Sequence, residues 1–163
     1  MGYRKHIRLA NYDYKQNGYY FITICTARNA PLLNEYKDMI IEELVNLEKR
    51  FLGVKLDFNE IMEDHIHFIL YFHEANISLP CVIQAFKSIT TLKAKQAKEC
   101  VAAELALPME ALGAKQALQL RRLWQPNYYE HIIRNESALN KIREYIMNNP
   151  EKERYDWDKL DVV

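Results

Sequence analysis

Two histidines one residue apart, His65 and His67, carry the most chemical information in this chain. Side chains alternate along a strand, so both imidazoles point to one face while Ile66 enters the opposite one. Neutral ring nitrogens at neighbouring positions of one face can bind a single divalent cation. Two protein ligands are too few for a structural zinc site, which takes four. They suit a site that leaves positions open for water or phosphate oxygens. A strand face with two half-buried histidines and no chemical role accounts for the triplet as well. A third ligand has to come from elsewhere. Glu63 lies two residues before His65, at a corner that can turn it away. Asn149 offers an amide oxygen suited to Mg²⁺ or Mn²⁺. His73 is six residues beyond His67, about 20 Å along a strand, and too far to join. His6 and His131 have no fixed relation to the pair, and a surface or hydrogen-bonded role accounts for both.

Tyr145 precedes Asn149 by four residues, one helical turn on the same face. A phenol oxygen beside a metal-bound amide is placed to act as a nucleophile. A cation there favours the phenolate and offsets the charge that develops in attack on a phosphate. Without context, the same two residues read as a half-exposed aromatic and a helix C-cap before Pro150.

These groups need a scaffold to bring them together. Residues 19–26 (YYFITICT) alternate β-branched and aromatic side chains and predict a strand. Residues 36–51 carry Met39, Ile40, Leu44, Leu47 and Phe51 at helical spacing and predict an amphipathic helix ended by Gly53. Residues 54–62 and 65–73 predict two strands with a hairpin corner at Glu63-Asp64. Ser78 and Pro80 open a helix running from about residue 79 toward 98. A strand at 129–133 and a helix at 136–149, stopped by Asn149-Pro150, complete the order. The order β-α-β-β-α-β and a further helix gives an α+β chain with the ferredoxin-like split βαβ topology. It predicts an antiparallel sheet with helices on one face, plus a C-terminal helix carrying Tyr145. The Ala- and Leu-rich stretch at about 94–120, broken by Pro108 and Gly113, predicts a helical insertion in a single domain spanning 1–163.

Length and composition agree with one domain. Of 163 residues, 49% are apolar and 27% charged, enough for a core and too apolar for disorder. The longest apolar runs fall far short of the ~20 residues that span a membrane. Three cysteines without CxxC spacing speak against a disulfide framework or a zinc site. The basic start, Arg4, Lys5 and Arg8, has no apolar stretch behind it, so no secretory signal is expected and the expected location is cytoplasmic. The 22 basic and 22 acidic residues cancel, so any surface for an anionic polymer has to be a local one.

Three segments together resemble one family: residues 18–28 (GYYFITICTAR), 61–70 (IMEDHIHFIL) and 123–150 (LWQPNYYEHIIRNESALNKIREYIMNNP). They are similar in order and spacing to the GxYFVTxxT, MPNHVHLL, LWQxxYYxHxIR and YIxxNP motifs of the REP-associated tyrosine transposases. These are members of the single-tyrosine HUH transposase superfamily. The resemblance covers most of residues 3–150. It implies that His65 and His67 are the HUH metal ligands, Tyr145 the nucleophile and Asn149 the third ligand, with Mg²⁺ or Mn²⁺ as cofactor. It further implies cleavage and rejoining of single-stranded or hairpin DNA through a 5′-phosphotyrosine intermediate, by a monomer or a homodimer. The chain departs from the pattern at Glu63-Asp64, where the family often has Pro-Asn, and through residues 94–120. On this reading Arg4, Lys5, Arg8, Lys87 and Lys93 are candidates for contact with the DNA backbone. Trp124, Tyr128 and Tyr129 are candidates for stacking on unpaired bases, with a core or strand role as the alternative. Two other classes compete. A non-catalytic ferredoxin-like nucleic-acid-binding module needs no metal, and a metal-dependent hydrolase uses the same histidines with water as nucleophile.

Overall fold

The structure is a computed structural model that describes residue 9, residues 11–104 and residues 122–148. The described elements are β1 (Gly18–Cys25), α1 (Lys37–Arg50), β2 (Val54–Ile61), β3 (His65–Phe72), α2 (Leu79–Glu104), β4 (Tyr129–Ile133) and α3 (Glu136–Asn148). The four strands form one antiparallel sheet in the order β2-β3-β1-β4. That is the split βαβ arrangement expected from the element order. The expected insertion at 94–120 begins as the last turns of α2 and from residue 105 to 120 lies outside the described residues.

Alternation divides the sheet into two faces. Tyr20, Ile22 and Ile24 of β1 and Ile66, Phe68, Leu70 and Phe72 of β3 point one way, into a core with Ile40, Leu44 and Leu47 of α1 and Val82, Ile83 and Phe86 of α2. The other face carries Phe21, Ile69 and Ile133 under Ala138, Leu139, Ile142 and Ile146 of α3. The C-terminal helix therefore covers the face opposite to α1 and α2, and it is this face that holds His65 and His67.

A bulge in β2 reconciles the two ends of that strand. Val54 and Ile61 are seven residues apart, an odd number, so a regular strand would aim them at opposite faces. Both are buried in the same core. The register shifts between Leu56 and Phe58, leaving Asp57 as the extra residue. Gly53, at φ +82, makes the turn into β2, and a Cβ there would lie 2.4 Å from the His73 carbonyl oxygen. No other residue fits that approach.

Two ion-paired groups tie helices in place. Glu43 of α1 is buried, yet Arg50 and Lys93 reach it at 3.1 and 2.7 Å. Burial works to raise its carboxyl, and the hydrogen bonds from Lys93 and Arg50 outweigh that, holding it below the usual carboxylate range. On the other face, Arg143 of α3 grips the Asp57 carboxylate with both Nε, at 2.8 Å, and Nη2. The α3 N-terminus is capped by Asn135, whose Oδ1 accepts the Ala138 N–H at 2.7 Å.

Candidate active site

Three elements meet at the histidine pair. On β3, His65 pairs across from Cys25 and His67 across from Thr23 of β1, so all four side chains share the α3-covered face. The imidazole centroids lie 4.7 Å apart at 75°. Tyr145, near the C-terminal end of α3, is half-buried, with its ring centroid 6.3 Å from that of His67. The helix brings it there because Ile142 and Ile146, one residue to three residues away, are buried against the sheet.

The two histidines are held differently. His67 is buried, stacks on Phe21 at 5.5 Å, and its Nδ1 shares a 2.8 Å hydrogen bond with the Thr23 hydroxyl. Burial, with a smaller contribution from the charge of His65, pushes its pKa down to about 3, so the ring is neutral near pH 7. His65 is partly exposed, and its Nδ1 lies 2.6 Å from Asp64 Oδ1. In both rings Nδ1 is engaged, and Nε2 is the nitrogen left for a ligand. Metal-binding histidines are oriented by a bond at the other nitrogen, and both rings have one, so the residues fit a divalent cation. Glu60 of β2 pairs across from His67 on the same face. Among the described residues, no third His, Cys, Asp or Glu completes a metal-holding group with the two histidines, Glu63 included. Asn149, expected as the third ligand, lies outside the described residues.

The remaining candidates fall elsewhere. Arg4, Lys5 and Arg8 lie outside the described residues. Lys87 donates to the carbonyls of Gln125, Pro126 and Asn127 and lies 5.5 Å over the Tyr128 ring. Lys93 is taken by Glu43. Both lysines belong to α2, on the sheet face away from the histidines. Trp124 is 4% exposed and Tyr128 9%. The Trp124 indole N–H donates to Thr90 Oγ1 at 2.7 Å, and its ring packs 5.9 Å from Phe86. Both rings are core residues, and burial leaves neither face open to a base. Tyr129 is half-buried beside α3.

Sequence reasoning missed five residues here. Thr23 and His131 share the histidine face only through strand pairing, His131 lying buried across from Phe21. Asp57 and Arg143 are 86 residues apart and carry no common signal. Asp64 did carry one, its place directly before His65, but a hairpin corner accounted for it. A cavity of about 810 Å³ opens at the far end of the sheet, lined by Tyr19, Tyr71, Arg134 and Arg143 among others. Tyr71 is four residues beyond His67, roughly 13 Å along β3, so the cavity is separate from the histidine pair.

Residues 14–149 match the model of the family described as IS200-like transposases. An uncharacterized protein of Haemophilus influenzae is 31% identical over 91% of this chain and 88% of its own length. Among solved structures, a REP-associated tyrosine transposase bound to a REP hairpin superposes with a TM-score of 0.62 at 19% identity, covering 88% of this chain and 72% of that one. A putative transposase from Deinococcus radiodurans gives 0.54 at 21% identity, covering 86% and 95%. At these identities the two structures speak for the fold.

Proposed function

The chain belongs to the IS200-like transposase family, and on that premise we propose that it cuts and rejoins single-stranded DNA with Tyr145 as nucleophile. The observation that carries the reading is the meeting of His65, His67 and Tyr145 on one sheet face, with Tyr145 beside His67 of the same chain. His65 and His67 hold Mg²⁺ or Mn²⁺, with Asn149 as the third ligand. When bound, the cation polarises the scissile phosphate and offsets its developing negative charge.

Tyr145 Oη attacks phosphorus and gives up its proton. A P–O bond forms to the tyrosine, the bond to the 3′ oxygen breaks, and that oxygen leaves as a free 3′-OH after taking up a proton. The product is a 5′-phosphotyrosine link, which a 3′-OH later attacks to restore the strand and the phenol. Thr23 and Asp64 hold the imidazoles in orientation throughout, and the apolar floor of Phe21 and Ile69 limits water at the link. The substrate is DNA with a hairpin beside the cleavage point. The fold's likeness to a transposase bound to a REP hairpin supports that choice. Arg4, Lys5 and Arg8 are the backbone contacts we propose.

The test is incubation of the protein with single-stranded hairpin DNA and Mn²⁺, with denaturing gels and peptide mapping. The wild type is expected to form a covalent adduct mapping to residues 142–149. Tyr145→Phe is expected to bind DNA and lose both cleavage and adduct. Cleavage surviving in Tyr145→Phe would replace this mechanism with hydrolysis by water. A wild type that binds DNA without cutting it in any divalent metal would favour the non-catalytic module.

A further inference from the structure

We infer that the Asp64 carboxylate is a positioning residue that sets the tautomer and aim of His65 and attracts a cation held at its Nε2. The inference rests on the reading of His65 and His67 as metal ligands. It starts from how differently the two rings are fixed. His67 is locked by packing: it is buried, stacked on Phe21 and bonded to Thr23. His65 has no such enclosure, and a quarter of its side chain is open to solvent. What fixes its ring is the 2.6 Å contact from Nδ1 to Asp64 Oδ1.

A carboxylate only accepts hydrogen bonds, so Nδ1 must carry the proton and Nε2 the lone pair. The negative charge behind the ring also attracts a cation held at Nε2, as a carboxylate does in a carboxylate–histidine–metal array. The side chain is free for this task because the backbone holds the corner separately. The Asp64 carbonyl accepts the Thr26 N–H at 2.8 Å, and the Met62 N–H bonds to the His65 carbonyl at 2.9 Å. Where the resembling family often has asparagine, an amide oxygen can accept the same bond without the charge. Asp64 therefore supplies two separable things, an orientation and a charge.

The experiment separates them with full-length protein and Mn²⁺ alone. Imidazole ¹⁵N shifts of the metal-free protein report the tautomer of His65, and calorimetry reports Mn²⁺ affinity. The wild type is expected to show the Nδ1–H form. Asp64→Asn is expected to keep that form and bind Mn²⁺ more weakly. Asp64→Ala is expected to lose the Nδ1–H preference and weaken Mn²⁺ binding by ~10–100-fold. His65→Ala and His67→Ala run alongside. If they lose Mn²⁺ while Asp64→Ala keeps wild-type affinity and tautomer, the positioning role is overturned and the metal site stands. If neither histidine variant changes Mn²⁺ binding, the metal reading fails and the inference goes with it.

Discussion

The two faces of the sheet are covered on different terms. One lies under α1 and α2 and is almost wholly apolar, with Tyr20, Ile22, Ile24, Ile66, Phe68, Leu70 and Phe72 all fully buried. The other lies under α3 alone. Its apolar contact is a smaller set around Phe21, Ile69, Ile142 and Ile146, and the same face holds His65, His67, His131, Thr23 and Tyr145. The first face concentrates stability, because burial of apolar area is the largest favourable contribution to folding. The second spends part of its area on polar groups. It gains from this a place where ring nitrogens and a phenol lie side by side.

Truncations should separate the faces, and the largest change in stability belongs to the first. Phe68 is fully buried against Phe86, 5.9 Å away. Phe68→Ala is expected to lose about 3–5 kcal/mol in urea unfolding. Tyr145→Phe should leave the unfolding midpoint almost unchanged while removing the covalent adduct. A similar loss of stability in both variants would erase the contrast.

Acid provides the next largest effect, and it acts on the second face. His67 stays neutral in the fold down to about pH 3, whereas in the unfolded chain it takes a proton below about pH 6.5. The unfolded state therefore binds more protons between those values, and stability must fall as pH falls through that window. From pH 7 to pH 5 this one group should cost about 2 kcal/mol. Substituting the non-titrating His67→Gln should flatten that slope in paired urea titrations. An unchanged slope would place the acid sensitivity elsewhere.

The smallest expected effect sharpens the comparison most. Arg143 holds α3 to the sheet through Asp57, and its guanidinium is one-third exposed. Arg143→Ala is expected to lose about 1–2 kcal/mol, below the cost of breaking a buried pair. Because Arg143 lies two residues before Tyr145, adduct formation should fall more than stability does. Arg143→Lys should restore little, since an ammonium cannot reproduce the two-pronged contact. Equal losses of stability and adduct would make the pair a fold element only.

What the sequence made legible follows the same division. Element order, the hairpin at Glu63-Asp64 and the limits of β4 come from short-range alternation and turn chemistry, and the structure has all of them. The His65–His67 geometry needs only the strand period. The element order was enough for the sheet's topology, but the side-chain partners that strand pairing brings together were out of reach. Thr23 meets His67 across 44 residues, and Arg143 meets Asp57 across 86. Trp124 shows the converse case, in which two roles stood open and the core role is the one the structure takes. An aromatic with a polar edge suits a base, but Thr90 satisfies its N–H inside the core, and nothing local to Trp124 signals a hydroxyl 34 residues away.

The bulge in β2 has a meaning for length variation. Without Asp57, the run Val54, Lys55, Leu56, Phe58, Asn59, Glu60, Ile61 would alternate regularly, and each remaining side chain would keep the face it has now. Asp57 is thus an insertion the sheet does not need for its reading frame. A one-residue deletion there would mend the pleat and at the same time release Arg143. The spare residue serves the helix above it, and excising it would cut a tether while leaving the platform intact.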